Sequence, residues 1–129
     1  SIAGFIVDKT IKLMVESDKT IKNSNILILG YTFKENCSDT RNTKVKDIVE
    51  GLSSLSCKVE IFDPYIVPSD NNNFISLPFE GHAKYDAIIL AVTHNEFLKY
   101  SMDDFYKISN GKLVFLDIKG VYKESTWKL

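Results

Sequence analysis

The sequence predicts an α/β fold, a small doubly wound and mostly parallel sheet with helices on both faces, preceded by an N-terminal helix. Four largely apolar runs of strand length recur along the chain, at residues 26–30, 59–62, 87–92 and 113–118. Apolar runs of this kind are typical of strands buried on both faces, as in a parallel sheet covered by helices. Longer segments separate the runs and leave room for crossover helices.

A helix is predicted at the N-terminus, from Ile2 to Val15. Its apolar residues recur mostly at helical spacings, and its charged residues lie on other faces. Because the periodic pattern is already under way at the first residues, we expect this helix to continue one that begins in a longer protein.

A crossover helix is predicted between the first two strands, from about Arg41 to Ser56. Apolar residues recur there at steps of three and four, at Val45, Ile48, Val49, Leu52 and Leu55. The strand, the helix and the next strand form a βαβ unit, whose connection is expected to be right-handed. Asp39 and Thr40 are suitable caps for a helix that starts near Arg41.

The later connections predict a loop and two short helices. Residues 64–85 contain three prolines, a run of three asparagines and a glycine, which are too many helix breakers for a long helix. Thr93 is expected to cap a short helix in which Glu96 is the third residue. A second short helix near residues 102–108, preceded by Ser101, leads through a turn to the last strand.

The composition argues against several classes of protein. The chain has 129 residues, of which 44% are apolar and 26% charged, and a formal net charge of −1. This length suits one domain that needs no disulfide or metal to stabilise its core. The small net charge gives no bulk attraction to nucleic acid or to an anionic membrane. The apolar runs are far shorter than the roughly 20 residues that cross a bilayer. We therefore expect neither nucleic acid nor a membrane as a partner.

The termini and the cysteines point to a reducing compartment. The first residues lack a basic leader and carry charges within the apolar stretch, so they do not predict a signal peptide. Cys37 and Cys57 have no CxxC spacing and no second pair nearby, which predicts neither a zinc site nor a disulfide framework. Reduced thiols in the cytoplasm are the expectation.

The loop from Gly30 to Thr40 is the candidate binding site, because ligands of open α/β sheets bind beyond the carboxyl ends of the strands. The loop lacks the second and third glycines of a dinucleotide fingerprint. Instead it carries Lys34, and Arg41 follows it; both side chains could grip a phosphate. From the residues alone, the alternative that these cations are solvated or paired with Glu35 and Asp39 stays open.

Four segments of the chain carry a resemblance to a known family. They read Gly-Tyr-Thr-Phe-Lys-Glu-Asn-Cys-Ser-Asp-Thr-Arg-Asn-Thr-Lys at residues 30–44, Val-Glu-Ile-Phe-Asp-Pro at 59–64, Ala-Val-Thr-His-Asn-Glu-Phe at 91–97 and Asp-Ile-Lys-Gly at 117–120. This set is similar to the C-terminal domain of the UDP-glucose/GDP-mannose dehydrogenase family. The Thr-Phe-Lys-Glu-Asn-Cys form most resembles bacterial UDP-N-acetylhexosamine 6-dehydrogenases of capsule and O-antigen biosynthesis.

The resemblance implies an organisation and a set of roles. Residues 1–20 would be the end of a central helical region, and residues 21–129 the C-terminal UDP-binding domain. Phe33 and Lys34 would contact the UDP-sugar, and Arg41 would reach NAD. The implied reaction oxidises the sugar C6 alcohol to a carboxylate with two NAD, in an enzyme completed by the rest of its own chain and expected to be a homodimer.

The sequence departs from the family pattern in what it lacks. It contains neither the Gly-x-Cys-Phe-Pro-Lys-Asp run that carries the cysteine nucleophile nor a glycine-rich NAD fingerprint. We therefore assign no catalytic residue, take Cys37 as no substitute, and expect these residues alone to be inactive. His94 would face the cleft or cap a short helix. Asp63 would bind a ribose or form a turn with the proline that follows it.

Other functions and the identity of the sugar stay open on the sequence. A non-catalytic nucleotide-binding module could use the same loop without redox chemistry. An assembly module could use Phe5 and Leu13 of the N-terminal helix for self-association. The oxidised sugar could be glucose, N-acetylglucosamine or N-acetylgalactosamine.

Overall fold

The computed structural model describes residues 1–41, 43–69, 73–81 and 84–129. The elements follow one another as α1 (Ile2–Glu16), β1 (Asn25–Leu29), α2 (Val45–Ser54), β2 (Lys58–Phe62), β3 (Ala87–Leu90), a 3₁₀ helix (Asn95–Lys99), α3 (Met102–Lys107), β4 (Phe115–Asp117) and β5 (Trp127–Lys128). Within these residues the strands form one sheet in the order β2-β1-β3-β4-β5. Every pair of neighbouring strands is parallel, which confirms the predicted α/β class.

The register of the sheet brings the ends of three strands together. Leu29, the last residue of β1, pairs with Phe62 at the end of β2 and with Leu90 at the end of β3. The chain moves outward from β1 to β2 and then returns to the other side of β1 to form β3. The loops after β1, β2 and β3 therefore start side by side at the carboxyl edge, where this topology places ligands.

Two apolar clusters cover the two faces of the sheet. Ile26 and Ile28 of β1 belong to the cluster formed with α1 and α2, whereas Leu27 and Leu29 belong to the cluster formed with the 3₁₀ helix and α3. This alternation follows from the opposite directions of successive side chains in a strand. All four side chains are buried. The prediction of helices on both faces is confirmed.

Helices α1 and α2 are in close contact on one face of the sheet. Helix α1 buries five side chains, those of Ala3, Ile6, Val7, Thr10 and Met14. A Cβ placed on Gly51 of α2 would lie only 2.8 Å from Val7 Cγ2. The missing side chain at Gly51 therefore allows the two helices to approach this closely.

The predicted start of α2 is wrong by several residues. The helix begins at Val45 and not near Arg41, and Asp39 and Thr40 do not cap it. The backbone amide of Val45 instead donates to Thr43 Oγ1 at 3.1 Å, and the Thr43 hydroxyl donates to the Tyr31 carbonyl at 2.6 Å. Thr43 thereby links the helix start to the turn after β1.

The predictions for the two short helices had different outcomes. Thr93 does not cap the 3₁₀ helix: the N-cap position is occupied by His94, and the buried Thr93 hydroxyl has no hydrogen-bond partner in the described part of the chain. The prediction for α3 is confirmed. Its Ser101 hydroxyl accepts from the Asp104 amide, and the Asp104 carboxylate accepts from the Ser101 amide.

The connection at residues 64–85 has no helix in its described part, as predicted, while residues 70–72 and 82–83 lie outside the description. Ile61 of β2 donates to the Asn73 carbonyl and accepts from the Ile75 amide, so this connection covers the outer edge of β2.

The second edge strand, β5, was not predicted. Its two residues are too few to show a periodic pattern.

Gly30 provides a test of the strand arrangement. Its φ is +91°, and a Cβ there would lie 2.4 Å from the Val92 carbonyl oxygen, whereas Gly111, with a φ of +68°, has free space around it. We expect Gly111→Ala to cost about 1–2 kcal/mol from backbone strain alone. Gly30→Ala should cost roughly 1–3 kcal/mol more because of the clash.

Urea denaturation of the two variants and the wild type measures this difference in unfolding free energy. Equal losses for the two alanine variants would contradict the close packing of Gly30 on Val92.

Candidate functional site

Asp63 anchors the turn that follows β1. Its Oδ2 accepts hydrogen bonds from the backbone amides of Tyr31 at 2.7 Å and Thr32 at 3.1 Å. Its Oδ1 accepts from the Tyr65 amide at 2.8 Å. The side chain is fully buried. Asp63 therefore forms the turn with its own following residues, the second of its two predicted roles, and has no exposed oxygen for a ribose.

His94 reaches the same turn from the end of β3. Its Nε2 lies 2.9 Å from Asp63 Oδ2 and 3.1 Å from Thr32 Oγ1, and its Nδ1 accepts from the Asn36 amide at 2.9 Å. Because Nδ1 accepts a hydrogen bond, the proton of the neutral ring lies on Nε2 and is directed at Asp63. The ring does not line the cleft, so that predicted role is wrong; His94 does occupy the N-cap position of the 3₁₀ helix, as the other role requires, but without a side-chain capping bond.

Hydrogen bonds between its own residues also stabilise the turn. The Thr32 hydroxyl donates to the Lys34 carbonyl at 3.1 Å, and the Phe33 amide donates to the Asp39 carbonyl at 2.7 Å. Asn36 has a φ of +56°, a conformation that asparagine tolerates well, and its Oδ1 accepts from the Asn95 amide at 2.8 Å. Phe33 and Lys34 thus lie in a turn whose backbone is held on both sides.

Burial and hydrogen bonding act in opposite directions on Asp63. Burial by itself would raise the pKa of the carboxyl group, but the hydrogen bonds from the His94 ring and from three backbone amides outweigh this effect. The pKa of Asp63 is therefore below its ordinary value. The carboxylate is ionised at neutral pH and serves as a negative centre that collects N–H donors.

A cleft of about 310 Å³ opens at this edge of the sheet, within the size range of small-molecule sites. The turn after β1 and the start of α2 form one wall, α1 forms another, and residues after β3 and β4 close it. The residues that define these walls include Ile2, Ile6, Phe33, Lys44, Val45 and Ile118. The cleft is largely apolar, with the Lys44 cation on its wall.

The three predicted binding residues occupy different positions. Phe33 lines the cleft and leaves 54% of its surface exposed. Lys34 is exposed beside it, outside the lining, with no ion pair to any described carboxylate. Arg41 is also outside the lining, and its guanidinium binds Asp39 through Nε at 3.1 Å and Nη2 at 3.0 Å.

Two ion pairs flank the turn. The Arg41 side chain is 85% exposed, so its bond to Asp39 lowers the pKa of that carboxyl group but contributes little to stability. On the other side, Lys119 pairs with Glu35 and lowers the pKa of the Glu35 carboxyl group. The alternative in which cations pair with neighbouring carboxylates is thus realised for Arg41 but not for Lys34.

The described residues hold no cluster of side chains suited to a metal ion, and no described helix is long and apolar enough to cross a membrane. Cys37 and Cys57 are both free thiols. The Cys37 sulfur accepts a hydrogen bond from the Asp39 amide at 3.4 Å, so it takes part in the turn structure.

Several site residues were missed by reading the sequence. Thr43 and Lys44 join the site because α2 starts late, and Thr32 joins it through the buried network with His94. Asp63 and His94 each follow a predicted strand, which marks them as separate candidates. Their pairing depends on the strand order, which places β2 and β3 on either side of β1, and no local pattern reveals that order.

The fold and the cleft define a class of protein, an open parallel α/β domain that binds a ligand at the carboxyl edge of its strands. The sequence model of the "UDP-glucose/GDP-mannose dehydrogenase family, UDP binding domain" matches residues 27–124. The chain belongs to this family and corresponds to its UDP binding domain.

Curated relatives agree with this assignment. The chain is 36% identical over 124 residues to the UDP-N-acetyl-D-glucosamine 6-dehydrogenase of Salmonella typhi, which covers 94% of the chain and 29% of the relative. It is 34% identical over 126 residues to the enzyme of the same name from Pseudomonas aeruginosa, covering 95% of the chain and 30% of the relative. The chain thus spans less than a third of the length of these relatives.

Solved structures share the fold at lower sequence identity. The NDP-N-acetyl-D-galactosaminuronic acid dehydrogenase of Methanosarcina mazei Go1 matches with a TM-score of 0.73 and 20% identity, over 86% of this chain and 24% of that one. The UDP-N-acetyl-mannosamine dehydrogenase Cap5O of Staphylococcus aureus matches with a TM-score of 0.71 and 21% identity, over 98% and 28%. The predicted fold is confirmed by both.

Asp63→Asn is expected to flatten the acid side of the stability profile. The pKa of Asp63 is lower in the folded than in the unfolded chain, so its stabilisation is complete above the unfolded value of about 4. This stabilisation is lost as the pH falls through that value toward the folded pKa. The wild type should therefore lose unfolding free energy more steeply than the variant below about pH 5.

Urea denaturation at a series of pH values measures both slopes. Asp8→Asn, which removes an exposed carboxylate of α1, is the control and should keep the wild-type slope. Parallel profiles for Asp63→Asn and the wild type would show that the Asp63 network does not set the acid stability.

Proposed function

We propose that this chain supplies the UDP-binding half of the substrate cleft in an NAD-dependent UDP-sugar 6-dehydrogenase. The observation that carries the proposal is the cleft at the carboxyl edge, which Phe33 and the first turn of α2 line within the segment that the family model matches. The relatives' names as 6-dehydrogenases support oxidation of the sugar C6 alcohol to a carboxylate.

The charges around the cleft suit a diphosphate. At the start of α2 the Val45 amide already donates to Thr43 Oγ1, so the positive charge on this wall of the cleft comes from the side chain of Lys44 at the N-cap position. Lys34 adds an unpaired cation beside the cleft, within the described residues. The half-exposed Phe33 ring offers an apolar surface for the nucleoside or the sugar.

Arg41 is the proposed contact to NAD. Its partner Asp39 is only two residues away and the arginine is mostly exposed, so exchanging this carboxylate for a phosphate costs little. In the structure as it stands, Arg41 points to no group in the cleft. The proposal for this residue rests on its position in the Phe-Lys-Glu-Asn-Cys-Ser-Asp-Thr-Arg motif.

The described residues of the turn after β1 offer no glycine-rich site for the pyrophosphate of NAD. A dinucleotide site needs a glycine-rich turn on which a pyrophosphate can lie. Here the space beside Gly30, the one glycine of the turn, is filled by Val92. We therefore attribute the binding of NAD mainly to another part of the whole enzyme, and derive no step of the oxidation from this chain.

The remaining properties of the whole enzyme are proposals of the same kind. We propose a UDP-N-acetylhexosamine or UDP-glucose as the substrate, a role in polysaccharide biosynthesis and a homodimeric enzyme in the cytoplasm. Two free thiols fit a reducing compartment. Residues 1–20 are proposed to be the end of the central helical region, with α1 packed on α2 as observed.

Lys34→Ala should weaken the binding of UDP to this chain. Removing the cation deletes a charge-assisted contact to the diphosphate, on the order of 1–3 kcal/mol, or roughly 5- to 150-fold in Kd. Isothermal titration with UDP, UMP and uridine measures the effect. The loss should be largest for UDP, because uridine has no phosphate to contact.

Lys12→Ala, which removes an exposed lysine of α1 away from the cleft, is the matched control and should bind UDP as the wild type does. Equal affinities for UDP in the wild type and in Lys34→Ala would remove Lys34 from the site. A wild-type chain that binds no UDP at millimolar concentration would overturn the proposed function.

The chain alone is expected to produce no NADH from UDP-N-acetylglucosamine and NAD, because its sequence carries neither the cysteine-nucleophile run nor the glycine-rich fingerprint of the family. Absorbance at the NADH wavelength over hours, with the whole enzyme as positive control, is the measurement. Turnover by these 129 residues would contradict the proposal that another part of the whole enzyme supplies the catalytic residues.

An assembly module is the second candidate, favoured by apolar exposure on α1. Ile2, Phe5 and Val15 leave 48%, 49% and 57% of their surfaces exposed, an apolar surface able to drive self-association. Leu13, the other residue expected to contribute, is only partly exposed. Light scattering combined with the UDP titration separates the two functions, since a dimer without UDP affinity would favour assembly.

A further inference from the structure

The turn that presents Phe33 and Lys34 is positioned from the two neighbouring strands. At its start, the amides of Tyr31 and Thr32 bind Asp63, which directly follows β2. At its end, the Asn36 amide binds the ring of His94, which follows β3. The turn belongs to β1 by sequence, yet these side-chain hydrogen bonds come from β2 and β3.

The His94 ring joins both ends of this arrangement. Its Nε2 lies 2.9 Å from Asp63, which holds the start of the turn, and its Nδ1 lies 2.9 Å from the Asn36 amide at the end. The ring is fully buried between Tyr65, at a centroid distance of 4.7 Å, and Phe97, at 5.7 Å. A ring packed in this way has little freedom to rotate. The separation of its two nitrogens therefore sets the distance between the Asp63 carboxylate and the Asn36 amide.

A second connection leads from His94 to the peptide of Lys34. The ring Nε2 is 3.1 Å from the Thr32 hydroxyl, and this hydroxyl donates to the Lys34 carbonyl at 3.1 Å. The single Nε2 proton, directed at Asp63, has the Thr32 oxygen as the second acceptor of a three-centre hydrogen bond, and the Thr32 proton is directed to the Lys34 carbonyl. The orientation of the Lys34 peptide thus depends on the proton being on Nε2 of His94.

We propose that His94 is a positioning residue for nucleotide binding: its neutral, Nε2-protonated ring sets the shape of the turn that presents Phe33 and Lys34 to the diphosphate. This inference rests on the proposed function for its effect on UDP affinity. It concerns a residue that does not itself line the cleft, since His94 is buried beneath the turn, in contact with Thr32 of the lining.

Two substitutions separate the two halves of the ring. His94→Asn places an amide oxygen near the position of Nδ1, so it can accept from the Asn36 amide but cannot reach Asp63. His94→Gln places an amide nitrogen near the position of Nε2, so it can donate to Asp63 but leaves the Asn36 amide without its acceptor. Both variants lose the contacts of the ring with Tyr65 and Phe97, so the comparison between them isolates the two hydrogen bonds.

Hydrogen exchange of the Asn36 amide, measured by NMR, tests the geometry without any ligand. We expect protection in the wild type and in His94→Asn, and exchange at least tenfold faster in His94→Gln. The ¹⁵N shifts of the wild-type imidazole should show a protonated Nε2 and an unprotonated Nδ1. Equal exchange in the two variants, or the opposite tautomer, would overturn the inference whether or not UDP binds.

Titration with UDP then tests the functional part. We expect both variants to bind UDP at least fivefold more weakly than the wild type while urea denaturation shows them folded. If either variant is unfolded, Thr32→Val, which removes only the hydroxyl between His94 and Lys34, replaces it in the titration. Wild-type affinity in folded His94 variants would refute the positioning role, whereas a wild type that binds no UDP refutes the proposed function and leaves the exchange result to decide the geometry.

Discussion

The hydrogen bond between the His94 ring and the Asp63 carboxylate holds together the ends of three parallel strands. An ionised carboxylate buried without partners would be strongly destabilising, and here three backbone amides and the ring donate to it. The donors come from the turn after β1, from the residues after β2 and from the end of β3. The pair therefore requires all three loops to be formed, and formation of the candidate site is coupled to formation of the sheet.

The sequence allowed the fold to be predicted because the evidence for it is local. Buried strands and the apolar stripe of α2 depend on residues a few positions apart, and the resemblance placed Phe33 at a cleft that the structure contains. The Asp63–His94 pair joins residues 31 positions apart, and only the strand order brings them together. The capping predictions for Asp39, Thr40 and Thr93 failed for a related reason, since each nearby helix starts one or more residues later than its local pattern favours.

The charged side chains of the turn differ in how much freedom they keep. Arg41 and Lys119 are each paired with a carboxylate of the same loop, Asp39 and Glu35 respectively, whereas Lys34 has no ion pair among the described residues. An incoming diphosphate would meet Lys34 directly and would have to compete for the other two. Surface ion pairs are weak enough for such competition to cost little.

The contact of Gly51 with Val7 has a mechanical consequence for the cleft. Ile6 of α1 and Ile48 of α2 both line the cleft. Close to them, the Val7 side chain of α1 packs against the backbone of α2 at Gly51. The spacing of the two helix axes, and hence the width of the opening, is therefore fixed by the smallest side chain at their crossing. Because the two helices are packed this closely, a displacement of α1 would also displace α2. The first turn of α2, with Lys44, would move with it.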